Sequence, residues 1–162
     1  MKSILLKALI AATAIAAPIA AQSAVRITEF MYQGLGGSNR EFFEITNISD
    51  SAVDITGWYF DDDSRTPTVA IGNFFGVLAA NESVIITEMS AAAFRTYWGL
   101  DASVRVFGGN TVNFGNGDEV NLYSSNSASD LVDRFTYGSG TTPGVSRNRP
   151  VGADGQGFTY SA

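Results

Sequence analysis

Three consecutive carboxylates, Asp61, Asp62 and Asp63, are the densest run of reactive groups in this 162-residue chain. Acidic residues on one loop suit Ca²⁺, a hard cation that collects several oxygen ligands. The run is not an EF-hand, which alternates its acidic positions and closes with a distant glutamate. Neighbouring aspartates also splay apart unless the loop is unusual, so a solvated turn is the simpler reading. Gly117, Asp118 and Glu119 would add oxygens if the two loops met. Calcium is the one cofactor that the sequence leaves open; no other is expected.

Glu29, Glu41 and Glu44 invite a different chemistry. Glycoside hydrolysis needs two carboxyls flanking a sugar cleft. Glu41 and Glu44 stand three apart, which places them on opposite faces of a strand. That parity argues against their pairing, and solvent-facing or arginine-paired glutamates are the simpler reading. Arg147 and Arg149 could clamp a carboxylate or phosphate with their planar forks. Exposed arginines paired with local aspartates are the simpler reading. Ser124, Ser125 and Ser127 lack any base to activate them. The chain has no histidine and no cysteine. That excludes Cys/His zinc sites, Ser-His-Asp triads and Cys-His catalysis. No catalytic residue is assigned, and the chain is read as a non-enzyme.

The elements around these residues read as strands. Candidates are 25–32, 41–46, 52–60, 68–71, 83–87, 104–107, 119–123, 131–137 and 157–160. Clusters of Gly, Asn, Asp and Ser separate them, the pattern of a sandwich or barrel. Val53, Ile55, Gly57 and Tyr59 alternate with Asp54, Thr56, Trp58 and Phe60, a period of two. Several strands are bulky on both faces, so the alternation is imperfect. One helix is predicted over 91–98, capped by Ser90 and ended by Gly99. Its Phe94, Tyr97 and Trp98 are expected to pack against an open end of the sheets. Tyr32, Phe42, Trp98 and Tyr137 are candidates for an exposed aromatic patch. The glycine-rich tail, 138–162, reads as loop with one edge strand at most.

Residues 1–24 read as a signal peptide. Lys2 and Lys7 precede an apolar run, and Ala21, Ser23 and Ala24 offer a cleavage site. The apolar run is too short to span a bilayer, and Pro18 interrupts it. One domain over 25–162 remains, with no membrane span after cleavage. It keeps eight arginines against sixteen carboxylates, so it repels phosphate backbones. Nucleic acid is not an expected partner. A disulfide-free exported chain of roughly 138 residues must hold together by packing, which that length permits.

Several segments, taken in order, resemble a known family. They are Val25–Met31, Glu41–Asn47, Val53–Phe60, Leu78–Ile86, Phe114–Leu122 and Leu131–Tyr137. Glu44 and Asn47 lie in an acidic-aromatic run ending in Asn. Gly57 and Trp58 complete a Leu-x-Gly-Trp segment with Ile55 in the leucine place. The chain resembles the lamin tail domain, found in nuclear lamins and in exported bacterial proteins, from Val25 to about Phe158. The resemblance implies an all-β, immunoglobulin-like β-sandwich, here with one short helix. Glu44, Asn47, Gly57 and Trp58 then mark structure. Gly57 is expected to admit a neighbouring chain, and Trp58 to bury a ring worth about 2–3 kcal/mol. The leader is incompatible with a nuclear role, and no heptad rod is present. The exported, bacterial type is the closer likeness.

The expected function is a secreted, non-enzymatic binding or structural module of the cell surface or extracellular matrix. The periplasm is the alternative compartment. Its partner would be an extracellular protein or carbohydrate. The alternative role is an accessory domain of a secreted hydrolase, of nuclease or phosphatase type.

Overall fold

The computed structural model describes residues 23–36, 40–138 and 142–149, and the backbone of 159–160. All but the last two residues of the signal peptide expected over 1–24, and the start of the strand expected over 157–160, lie outside the described residues. In chain order the elements are β1 (Val25–Met31), β2 (Phe42–Asn47), β3 (Val53–Asp54), β4 (Tyr59–Asp61) and β5 (Val69–Ala70). Then come α1 (Gly72–Phe75), β6 (Val77–Leu78), β7 (Ser83–Thr87), α2 (Ala91–Trp98) and β8 (Val106–Gly108). The last are β9 (Glu119–Tyr123), β10 (Leu131–Thr136), β11 (Arg147–Asn148) and β12 (Thr159–Tyr160).

Two sheets face each other. The larger has the order β12-β11-β1-β2-β7-β8, and the smaller β10-β9-β4-β5. A separate pair joins β3 to β6. Neighbours are antiparallel except β7 and β8. Ile27, Phe30, Phe43, Ile45, Val84 and Ile86 enter the shared core from the larger sheet, and Phe60, Val120, Leu122 and Phe135 from the smaller. Aromatic rings bridge the layers: Phe43 meets Phe60 at 5.0 Å and Phe30 meets Phe135 at 5.6 Å between centroids. This is the expected all-β sandwich.

The larger sheet buries its outer face as well. Met31, Phe42, Ile85 and Val106 form a second cluster with Phe94 of α2. Adjacent Phe42 and Phe43 thus enter different cores, which explains why β2 is bulky on both sides. The Ser90 hydroxyl accepts from Ala93 N–H at 3.3 Å, and Gly99 closes α2 at φ 65°. The helix lies over a sheet face, not against an open sheet end. Met31, Phe42, Ile85 and Val106 give that face an apolar patch, and Phe94 buries itself on it.

The 52–60 segment is not one strand. A turn at Gly57, with φ 79°, separates β3 from β4. Gly57 supplies that left-handed backbone and admits no neighbour; the space where a Cβ would stand is open. The close approach belongs to Gly72. A Cβ there would fall 2.0 Å from the Ile55 carbonyl oxygen and 2.3 Å from Trp58 N. The Gly72 and Ile71 N–H groups both donate to Trp58 O, at 2.9 and 3.0 Å, pinning α1 on the turn. Trp58 itself is half-buried, packed against the rim of the core, so its burial is smaller than expected. Gly72→Ala is expected to cost about 3 kcal/mol, because both atoms it strikes are backbone. A urea melt unchanged from wild type would refute that clash.

Asn47 has a sharper role than its motif suggests. Its side chain is fully buried at the end of β2. Nδ2 donates to the carbonyls of Ser51, Ala79 and Leu78 at 2.8, 2.9 and 3.3 Å. Oδ1 accepts from Ser49 N–H and Oγ. One amide therefore stitches the 47–51 turn to the segment leaving β6.

The tail is less loop than expected. β11 pairs with β1, matching Glu29 to Asn148 and Phe30 to Arg147. Arg149 is buried rather than exposed, and its Nη1 donates to both Asp133 oxygens at 2.9 and 2.7 Å. Ile27 N–H also donates to Asp133, at 2.9 Å, and Arg26 lies 3.8 Å from it.

Candidate functional site

The β1–β2 ladder carries a bulge. Ile27 faces Ile45, yet Glu29 faces Glu44, leaving Thr28 as the extra residue. Without it Glu29 would share the core face of Ile27. With it Glu29 turns outward beside Glu44, and Phe30 returns to the core. Thr28 uses its hydroxyl on the same site, donating to Glu44 Oε1 at 2.5 Å. Thr46 donates to the same oxygen at 3.1 Å, and Ser83 Oγ lies 2.7 Å from the Thr46 hydroxyl.

These carboxylates lie at the edge of a groove of about 320 Å³ between α2 and the outer sheet face. Phe42, Ile85, Phe94, Trp98, Leu100 and Val104 form its apolar walls; Glu29, Glu44 and Ser83 are its polar lining. The register orders this face in rows: Met31, Phe42 and Thr87, then Glu29, Glu44 and Ile85, then Arg26, Thr46 and Ser83; of these Phe42, Glu29, Glu44, Ile85 and Ser83 line the groove. The two carboxylates thus lie between Phe42 on one side and the Thr46 and Ser83 hydroxyls on the other. Trp98 packs on Phe42 at 5.7 Å yet stays 38% exposed, so it forms a lip. Burial pushes the Glu29 carboxyl above its usual range; a hydrogen bond with Ser146 opposes this and the Glu44 charge adds to it.

The expected aromatic patch divides. Phe42 and Trp98 join this groove, whereas Tyr32 and Tyr137 lie tilted to each other, 6.1 Å apart against the main core, with Tyr137 buried. The division follows strand parity and the placement of α2, which rings alone do not reveal. Glu41, one residue before β2, is far from this pairing in environment. It is fully buried and accepts from Phe114 N–H at 3.0 Å. Burial foremost, then the nearby Glu88 and Asp118 carboxylates, pushes it up to about 8, against that N–H bond.

The three successive aspartates do not converge. Asp61 turns inward, where it accepts from Ser64 Oγ at 2.7 Å and Thr66 N–H at 3.1 Å. Asp62 and Asp63 instead meet Asp118 across the loops, with carboxylate oxygens within 4.8 Å of one another. Burial raises Asp62 above the usual aspartate range, and Asp61, Asp118 and Asp63 add to this. These are the residues that could hold a hard cation. One oxygen from each makes three, fewer than the roughly six to eight that Ca²⁺ normally collects. Equal melting temperatures in millimolar Ca²⁺ and in chelator are therefore expected. A rise of several degrees that Asp63→Asn abolishes would overturn this.

Sequence reasoning separated Glu41 from Glu44 correctly but missed that Glu44 pairs with Glu29. Only a polar residue inside β1 breaking its alternation, Thr28 before Glu29, hinted at the bulge. Among the described residues no helix is long and apolar enough to cross a membrane.

Two packed sheets, with a helix over the outer face of the larger, make a β-sandwich. The chain belongs to the Lamin Tail Domain family, whose model matches residues 18–139. This is an immunoglobulin-like, non-catalytic family. The match ends before β11 and Arg149, short of the stretch to Phe158 over which the sequence resemblance was drawn. No curated protein matches the chain.

Proposed function

We propose that the protein is a secreted, non-enzymatic binding module of the cell surface or extracellular matrix, and that α2 and the outer face of β2 and β7 form its recognition surface. The periplasm is the alternative compartment, and the partner is an extracellular protein or carbohydrate. The groove beneath Trp98 carries this reading. Its volume lies at the small end of the range for ligand sites, and it combines apolar walls with a few placed polar groups, as such sites do. The charged leader over residues 1–24 supports export. The absence of histidine and cysteine from the sequence removes the commonest nucleophile–base pairs.

Trp98 makes the test direct. Peptide and oligosaccharide libraries are titrated against the exported chain, with Trp98→Ala as control. The expected result is a ligand class whose affinity falls about tenfold or more in the variant, as for a central aromatic anchor. Melting should fall only modestly, because Trp98 packs on Phe42, Phe94 and Tyr97 yet is more than a third exposed. Fractionation of the native host should place the cleaved chain outside the cytoplasm. Turnover of any sugar, nucleic acid or phosphoester would end the non-enzymatic reading.

A further inference from the structure

Three of the ten buried or half-buried acids among the described residues are answered with arginine. Glu82 has Arg105, Glu119 has Arg65 and Arg134, and Asp133 has Arg149 and Arg26. Glu29 and Glu44 are not among those three. They stand opposite each other in the ladder, both half-buried, and among the described residues neither makes an ion pair with an arginine. Their protein partners are hydroxyls: Ser146 for Glu29, and Thr28 and Thr46 for Glu44. Two like charges held side by side at the edge of an apolar groove repel, and burial weakens their hydration.

We propose that the groove binds a basic side chain, lysine or arginine, of a partner polypeptide. The aliphatic stem would lie along Phe42, Ile85 and Phe94, and the cationic head between Glu29 and Glu44. This rests on the binding-module reading and names its ligand chemistry. Charge complementarity selects the occupant: a cation satisfies both carboxylates, whereas a neutral sugar leaves their repulsion in place. The shape agrees, because the register sets Phe42 in the row directly beside Glu29 and Glu44, so a stem lying on that ring brings its head to the two carboxylates. Trp98 offers a ring to the cation or its stem. The same helix already shows this taste: the Arg40 guanidinium lies over the Tyr97 ring, 4.7 Å from its centroid.

The test uses the exported chain and capped pentapeptides with one central lysine, arginine or norleucine. Norleucine keeps the apolar stem and removes the charge. Binding is read by calorimetry and Trp98 fluorescence at low and high salt. The lysine or arginine peptide should bind about tenfold or more tighter than norleucine, and salt should erase most of the difference. Glu29→Gln and Glu44→Gln should each remove that preference while leaving norleucine affinity unchanged. Trp98→Ala, at an exposed position, should weaken all three peptides. Equal affinity for norleucine, or a charge preference that survives both glutamine variants, would overturn the proposal. Oligosaccharide binding that Trp98→Ala abolishes, with no peptide binding, would overturn it too yet leave the binding-module reading standing. Turnover of the oligosaccharide would remove that reading as well.

Discussion

Stability should fall as pH rises from about 4.5 to about 8, and Glu41→Gln should remove most of that fall. Glu41 titrates near 8 in the folded chain, against 4.5 for an ordinary glutamate. The folded state therefore holds a proton that the unfolded state releases across this window. A group raised in this way contributes its full stability below the unfolded value, and the contribution is lost as pH climbs through the folded one. Its cause is geometric: a fully buried carboxyl receives one N–H donor, from Phe114, while Glu88 and Asp118 crowd it with negative charge. The loss should be on the order of 2–4 kcal/mol across the window. Glutamine keeps an oxygen for Phe114 N–H and carries no charge. The variant should match wild type near pH 4.5 and exceed it at pH 8.5. Glu29, Glu88 and Asp62 are also raised, chiefly by burial, so a shallower decline of the same sign should remain. Urea melts at several pH values decide the matter; parallel slopes for both chains would show that Glu41 does not carry the effect.

Removing Asp133 should destabilise the sandwich by about 3–5 kcal/mol, the usual result of breaking a buried ion pair from one side. Asp133 accepts from Arg149 and from the Ile27 backbone, with Arg26 nearby. Alanine would leave the buried Arg149 without its carboxylate and orphan the Ile27 N–H beside the β1 bulge. Arg149 also donates its backbone N–H to Thr28 O at 2.7 Å, so the same variant should loosen the tail. Hydrogen exchange is expected to quicken first at β11, then in β1. A double change, Asp133→Leu with Arg149→Met, should recover part of the loss, because it removes both charges together. If Asp133→Ala melts within about 1 kcal/mol of wild type, the ion pair is not what couples the tail to the sheets.

The strands with clear alternation or β-branched runs were legible. Elements β2, β7, β9 and β10 appear within a residue of where their side chains suggested, and α2 has the bounds its caps announced. Segment 52–60 was misleading, because Gly57 fits a period-two pattern by having no side chain to contradict it. Its positive φ comes from the turn that returns the chain to α1. Gly72 was unmarked, since a close backbone approach involves residues distant from one another in the chain. The acidic loop was legible as a cluster but not in its membership, which depends on the Asp118 loop lying beside it.

The residue order alone determined an all-β body, one capped helix, a motif asparagine and a composition unsuited to the common catalytic triads. These properties are local: strand period, cap chemistry and residue inventory depend on neighbours in sequence. Tertiary structure decided which face of β1 carries Glu29, that α2 covers the outside of the larger sheet, and that Arg149 reaches Asp133. A single-residue bulge reverses every side chain beyond it, and only pairing with β2 reveals the bulge. The groove, with its unanswered pair of charges, exists because that reversal and the docking of α2 occur on the same surface.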